Sequence, residues 1–216
     1  IFEIFVECGA PKEILYDAHP HIGTDVLRNV IVNMRKKIIN MGGEFRYNSC
    51  LTDINIVDGA IQSIVINNSE EVYCDVLVLA IGHSARDTFR MLYNRGISMC
   101  NKPFAVGVRV MHSQDMISHN QYGDFYKFLR PASYKLTYNT SSGRGVYSFC
   151  MCPGGYVVNA SSENGRTCVN GMSYSGRDSR NANSAIIVTV GPDDFGHGVL
   201  DGRKFQKQLE ANAYAE

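Results

Sequence analysis

The chain has 216 residues with 21 basic and 21 acidic side chains, so its formal net charge is zero. That balance excludes the broad electropositive face of a general nucleic-acid or anionic-membrane binder. Hydrophobic residues make up 44% and charged residues 19%, without a low-complexity tract, which excludes a disordered chain and predicts a folded soluble protein.

Taken in order, Ile1, Ile4 and Phe5 open the chain as an apolar helix-like run, and residues 11–23 follow as a loop punctuated by Pro20 and Gly23. A helix is predicted from near Thr24. Val26, Val30, Met34 and Ile38 recur every fourth residue, Leu27 and Ile31 widen the stripe, and Gly42 ends it. Phe45 and Tyr47 alternate with polar neighbours as a short strand. Leu51–Val57 and Ala60–Ile66 form a hairpin across Asp58-Gly59, a type I′ pair. Residues 72–74 lead into 76–81, an all-aliphatic run of the kind buried on both faces in parallel sheets. Gly82 ends that run, Ser84 and Asp87 read as a capping box, and a helix is predicted from Ala85 to Arg95 with Gly96 as its stop.

Beyond residue 98 helix periodicity fades until residue 203, and aromatic, Gly and Ser residues increase. Strands are predicted over 104–110, 133–138, 146–151, 156–160, 166–170 and 185–190, with Asn164-Gly165 as a hairpin turn. Residues 171–184 read as a long loop, a length that is more often functional than idle. The domain reading is an α/β layer over 1–98, a β-rich unit over 99–190, and a return segment over 191–216 that starts a helix. Both ends fall inside apolar periodic segments, the pattern expected of a piece of a longer protein.

The chemistry concentrates in two places. An aliphatic strand, a Gly turn and a helix start bring unpaired N–H groups and the helix dipole together, so Gly82, His83, Ser84 and Arg86 are candidates to touch a nucleotide cofactor. Phe149-Cys150-Met151-Cys152-Pro153-Gly154-Gly155 puts two thiols on one face of a strand and then breaks it sharply. Cys150 and Cys152 are either a redox pair or two small packed side chains, and packing is the commoner role. The loop cations Arg144, Arg166, Arg177 and Arg180 could hold a phosphate or an acidic substrate, although solvated surface is the commoner fate. His19, His21 and His83 do not combine with the cysteines in CxxC or HExxH spacing, so no metal site is expected. Neither G-x-G-x-x-G nor a nucleophile elbow occurs. Seven cysteines without framework spacing predict free thiols in the cytoplasm, and no apolar run approaches the roughly 20 residues of a membrane span.

His19-Pro-His-Ile-Gly-Thr-Asp25, Leu79-Ala-Ile-Gly-His-Ser-Ala-Arg-Asp-Thr-Phe89, Lys102-Pro-Phe-Ala-Val-Gly-Val-Arg109, Tyr147-Ser-Phe-Cys-Met-Cys-Pro-Gly-Gly155 and Asn170-Gly-Met-Ser-Tyr174 resemble a family of bacterial FAD-dependent dehydrogenases. These proteins are described as NAD/FAD-utilising dehydrogenases of unknown substrate. The resemblance implies an α/β fold in which a partial Rossmann-like FAD-binding domain carries a β-rich inserted substrate domain. It implies FAD as cofactor, NAD(P) as a second candidate, and a small-molecule substrate. Ala80-Ile81-Gly82 stands where related flavoproteins carry the Ala-Thr-Gly strand beneath the FAD. On this reading Gly82, His83, Ser84 and Arg86 lie near FAD, Gly154 and Gly155 let backbone approach the flavin ring, and Cys150 and Cys152 are catalytic candidates. Met111 departs from the acidic residue expected before His112. The competing readings are a non-catalytic binding or RNA-modification-associated module on a flavoprotein scaffold, and a thiol or metal protein centred on Cys150 and Cys152.

Overall fold

In the computed structural model, which describes residues 1–216, helices α1 (Phe2–Glu7) and α2 (Thr24–Asn40) precede strands β1 (Leu51–Val57), β2 (Ala60–Ile66) and β3 (Glu70–Tyr73). Helix α3 (Arg86–Asn94), strand β4 (Phe104–Ser113) and helix α4 (Gln114–Tyr122) follow. Strands β5 (Thr137–Asn139), β6 (Gly145–Cys152), β7 (Gly155–Asn159), β8 (Val169–Ser173) and β9 (Asn181–Val190) lead to helices α5 (Pro192–Phe195) and α6 (Asp201–Ala215). The chain divides into two compact units: Ile1–Glu44, Pro103–Val190 and Glu210–Glu216 form one, Phe45–Lys102 and Gly191–Leu209 the other. A break falls after Val190, as expected, whereas the β-rich part begins at Pro103 rather than at residue 99 and shares its unit with Ile1–Glu44.

In the first unit α2 buries Val30 completely, against Cys8, Ala10 and Ile14, with Phe5, Val26, Leu27 and Met34 packed around them. Its apolar stripe is narrower than the sequence suggests, because Ile31 (52%) and Ile38 (45%) remain exposed. Asn33 Nδ2 donates to the Cys8 carbonyl at 2.9 Å and so satisfies the end of α1. Four strands form an antiparallel sheet in the order β4-β9-β6-β5, and β7 pairs β8. The β4–β9 ladder runs unbroken from Phe104↔Val190 to Ser113↔Asn181. Between Phe149 and Cys152 the β6–β9 register slips, and Cys150 takes a left-handed φ of 49° in that bulge.

In the second unit the predicted hairpin forms with the expected bounds. Asp58 (φ 51°) and Gly59 (φ 79°) are both left-handed, as a type I′ turn requires. β3 continues the sheet antiparallel to β2. Helix α3 docks on β1 partly through Arg95, whose Nε donates to Asp53 Oδ1 at 2.6 Å, and Arg203 stacks over the Phe89 ring at 4.2 Å.

Several expectations are corrected. Residues 76–81 form no strand: Val76 (77%) and Val78 (81%) are exposed, because no strand of this chain lies beside them to accept their hydrogen bonds. All the strand ladders are antiparallel. The capping box is not made either; the N-cap of α3 is Ala85 without a side-chain bond, and Ser84 Oγ instead contacts His83 Nδ1 at 3.4 Å. Phe45 and Tyr47 lie outside any strand, and the strand expected over 133–138 shrinks to Thr137–Asn139. The loop expected over 171–184 is mostly sheet, leaving 174–180 as the connection between β8 and β9. Asn164-Gly165 is a turn within the longer 160–168 connection rather than a two-residue hairpin. Helix α4 was not expected because its buried face is polar, made by Gln114 and Ser118.

Candidate functional site

The end of β6 carries the densest chemistry of the first unit. Pro153 has no N–H to extend the ladder, and Gly154 turns left-handed at φ 50°. A side chain on Gly154 would meet the Arg177 carbonyl oxygen at 1.8 Å, and one on Gly155 the Met172 oxygen at 2.5 Å. The close approach that these buried glycines permit is therefore to the chain's own backbone. Gly154 N–H donates to Gln114 Oε1 at 2.8 Å, and Ser173 Oγ donates to the Pro153 carbonyl at 2.8 Å.

Around this turn Arg109 of β4 reaches inward. Its Nη1 donates to Asn183 Oδ1 at 2.6 Å and to the Cys150 carbonyl at 3.1 Å, and lies 3.9 Å from Cys152 Sγ. Gly171 makes the space, since a Cβ there would fall 2.1 Å from Arg109 Nη1. Cys150 is exposed, whereas Cys152 is 8% exposed and points its Sγ at the Cys150 carbonyl, 3.3 Å away. Burial pushes the Cys152 thiol up from its ordinary value, and the nearby Cys150 thiol adds to this while Arg109 opposes it. Raising its pKa makes Cys152 both a poorer source of thiolate and a weaker acid.

The 174–180 connection is pinned over this cluster from α2. Ser175 N–H donates to Asp25 Oδ1 at 2.8 Å and Ser175 Oγ to Oδ2 at 2.6 Å, which holds the Asp25 carboxyl below its usual range. His21 Nε2 meets the Tyr174 carbonyl at 3.0 Å, and a side chain on Gly23 would strike Ser175 N at 2.3 Å. Arg177 is thereby drawn inward. Its guanidinium is half-buried, and burial first, then Arg130, lowers its pKa. On the other face of β8, Met172 and Tyr174 join Thr24, Leu27, Arg28 and Ile31 around an open groove of about 920 Å³.

Of the four loop cations, Arg144 donates to the Thr189 carbonyl at 2.8 Å and Arg166 pairs with Glu163 at 2.9 Å. Arg180 is exposed and serves through its carbonyl, which accepts from Gln114 N–H at 3.0 Å. Arg177 alone among them carries a buried donor nitrogen without an acceptor. Sequence reasoning missed Arg109 and Asn183. The available signal was one cation in an otherwise aliphatic strand; Asn183 lay in a stretch read as loop. Gly82, His83, Ser84 and Arg86 belong to the other unit. There Gly82 is left-handed (φ 66°) with nothing within 4 Å of where a side chain would stand, and Arg86 is 7% exposed.

Residues 103–216 match the family described as FAD-dependent protein, C-terminal domain-like. An uncharacterised protein of Clostridium beijerinckii is 50% identical over 218 residues, which cover 99% of this chain and 41% of that relative. The chain thus spans about two fifths of the length of the relative it matches. No helix is long and apolar enough to cross a membrane.

Proposed function

The chain belongs to this family of FAD-dependent proteins, and from that premise we propose that it is part of an FAD-dependent oxidoreductase. In this reading a partial Rossmann-like α/β layer carries a β-rich substrate domain, and the reaction moves a hydride between the flavin and a nicotinamide or small organic substrate. The family match over residues 103–216 is the observation that supports it most. When bound, FAD supplies the hydride chemistry itself, and the protein supplies placement and proton handling.

The residues fit that cofactor at one point in particular. At Gly82 the backbone is left-handed and open on the side where other residues carry Cβ, so a flat or anionic group can approach it closely. His83, Ser84 and Arg86 flank this opening, and the first turn of α3 has no side-chain cap. We assign these four residues to FAD contact. Cys150 and Cys152 are assigned to catalysis, Cys152 through its Sγ beside Arg109. Gly154 and Gly155 serve the cofactor by holding the end of β6 in its tight turn, a role that their packing against Arg177 and Met172 suits.

The test is anaerobic reduction of the full-length protein by NADH and by NADPH, followed through the flavin absorbance. The reading expects reduction by one of them or by an organic donor, with Cys150→Ser/Cys152→Ser slowing turnover while FAD stays bound. Unchanged turnover in that double variant would return both thiols to a packing role.

A further inference from the structure

We propose that Cys150 and Cys152 form a reversible dithiol–disulfide couple that exchanges with low-molecular-weight disulfides, Cys150 attacking and Cys152 resolving. The proposal deepens the oxidoreductase reading by giving its two thiols a substrate class. It rests on that reading only for their place in turnover, since the exchange itself needs no flavin. Cys150 is exposed and Cys152 is buried, as an attacking and a resolving thiol require. Two residues apart, their Cα atoms lie at most roughly 7 Å from one another even in a fully extended chain, and a disulfide spans about 4.4–6.8 Å. The strand is contracted here: from Phe149↔Ala185 to Cys152↔Asn183, three steps of β6 cover what two steps cover on β9. Cys152 Sγ already points back toward its partner, 3.3 Å from the Cys150 carbonyl oxygen.

The surroundings suit the exchange. Cys150 holds a left-handed φ of 49°, a conformation that favours glycine, and strain of this kind gathers at reactive positions. Its carbonyl accepts from Arg109 Nη1 at 3.1 Å, and beyond Pro153 the Gly154 N–H donates to Gln114 Oε1 at 2.8 Å. The backbone is thus fixed on both sides of the pair, and closure falls to rotation of the exposed Cys150 side chain. Arg109 Nη1 also stands 3.9 Å from Cys152 Sγ, where its charge supports the thiolate as it attacks. Burial raises the Cys152 pKa and makes it a poor first attacker, yet an intramolecular second attack needs only a small thiolate fraction. In the first step the Cys150 thiolate bonds to one sulfur of a disulfide RS–SR, the S–S bond breaks, and RS⁻ leaves with the electron pair. In the second the Cys152 thiolate attacks Cys150 Sγ, the other RS⁻ leaves, and a Cys150–Cys152 disulfide remains. Each thiol gives its proton to solvent and each RS⁻ takes one up, so the dithiol is oxidised by two electrons and RS–SR is reduced to two RSH.

Equilibration of the full-length protein in anaerobic glutathione buffers, followed by acid quenching, alkylation and mass spectrometry, tests this. The tryptic peptide Gly145–Arg166 contains these two cysteines and no other. As glutathione disulfide rises, the wild-type peptide should pass from a doubly alkylated form to an unalkylated one that has lost both thiol hydrogens. Diluting the buffer about tenfold at a fixed ratio of thiol to disulfide should raise the oxidised-to-reduced ratio about tenfold, because two glutathiones are released per disulfide consumed. Cys152→Ser should stop at a Cys150–glutathione adduct, whereas Cys150→Ser should carry no adduct on Cys152. A wild-type peptide that stays doubly alkylated in glutathione disulfide alone overturns the couple, and so does oxidation that ignores dilution, the mark of a mixed disulfide. An adduct forming as readily on Cys152 in Cys150→Ser overturns the order of attack. Flavin absorbance in the same samples separates the two ideas: exchange in protein that binds no flavin sinks only the oxidoreductase reading, and flavin-loaded protein whose thiol pair stays reduced sinks only the couple.

Discussion

Gly154 and Gly59 are both left-handed glycines, and they differ in what surrounds them. At Gly59 the space beside the backbone is empty, so Gly59→Ala costs only the strain of φ 79°, about 1 kcal/mol. At Gly154 a methyl group would also overlap the Arg177 carbonyl at 1.8 Å, so Gly154→Ala is expected to cost roughly 2–4 kcal/mol. Urea unfolding of the two variants checks the ranking, and equal costs would show that the 177 segment yields freely. His112 makes a second prediction. Its ring lies 5.4 Å from Tyr134, its Nε2 is buried without an acceptor, and burial lowers its pKa. Folding therefore releases a proton from this group as the pH passes below the unfolded value of about 6.5. The stability it contributes is present above that pH and is lost as pH falls through the lower folded pKa. His112→Phe should flatten the pH dependence of stability on the acid side of neutrality, whereas an unchanged slope would assign that dependence elsewhere. At this scale the sequence announced which residues were unusual, the Pro-Gly-Gly turn and the thiol pair among them. It was silent on their partners, because Arg177 meets Gly154 only after β7 and β8 have folded back.

The elements that were legible are those whose partners are near in sequence. The β1–β2 hairpin carries its own turn residues and pairing strand, so its bounds follow from period and turn chemistry. Helix α2 likewise announces itself by a repeated apolar stripe. Helix α4 does not, since Gln114 and Ser118 bury polar groups against the Ala132 backbone and leave no apolar period to read. Residues 76–81 err in the opposite direction. Their composition is that of a strand covered on both faces, yet in this chain they stand exposed and unpaired. If the Rossmann-like layer is right, the rest of the full-length protein supplies the neighbouring strands. Backbone amides of 76–81 should then exchange with solvent slowly in the full-length protein and rapidly in the 216-residue chain. Equally rapid exchange in both would remove the layer from consideration.

For the molecule as a whole, composition and the zero net charge exclude broad classes but identify no chemistry. The family signal resides in particular motifs instead, and residues 103–216 carry it into an FAD-dependent family. The polar pair of Arg109 and Asn183 was illegible because it is assembled from β4 and β9, each unremarked alone. Because G-x-G-x-x-G does not occur among these 216 residues, the isolated chain should hold FAD weakly or not at all. The most direct measurement is the flavin content of the full-length protein, read from its visible absorbance after purification and after incubation with added FAD. One tightly held FAD per full-length chain is the predicted result, reduced or lost in Gly82→Leu with the fold retained. A full-length protein that stays colourless and takes up no added FAD would contradict it.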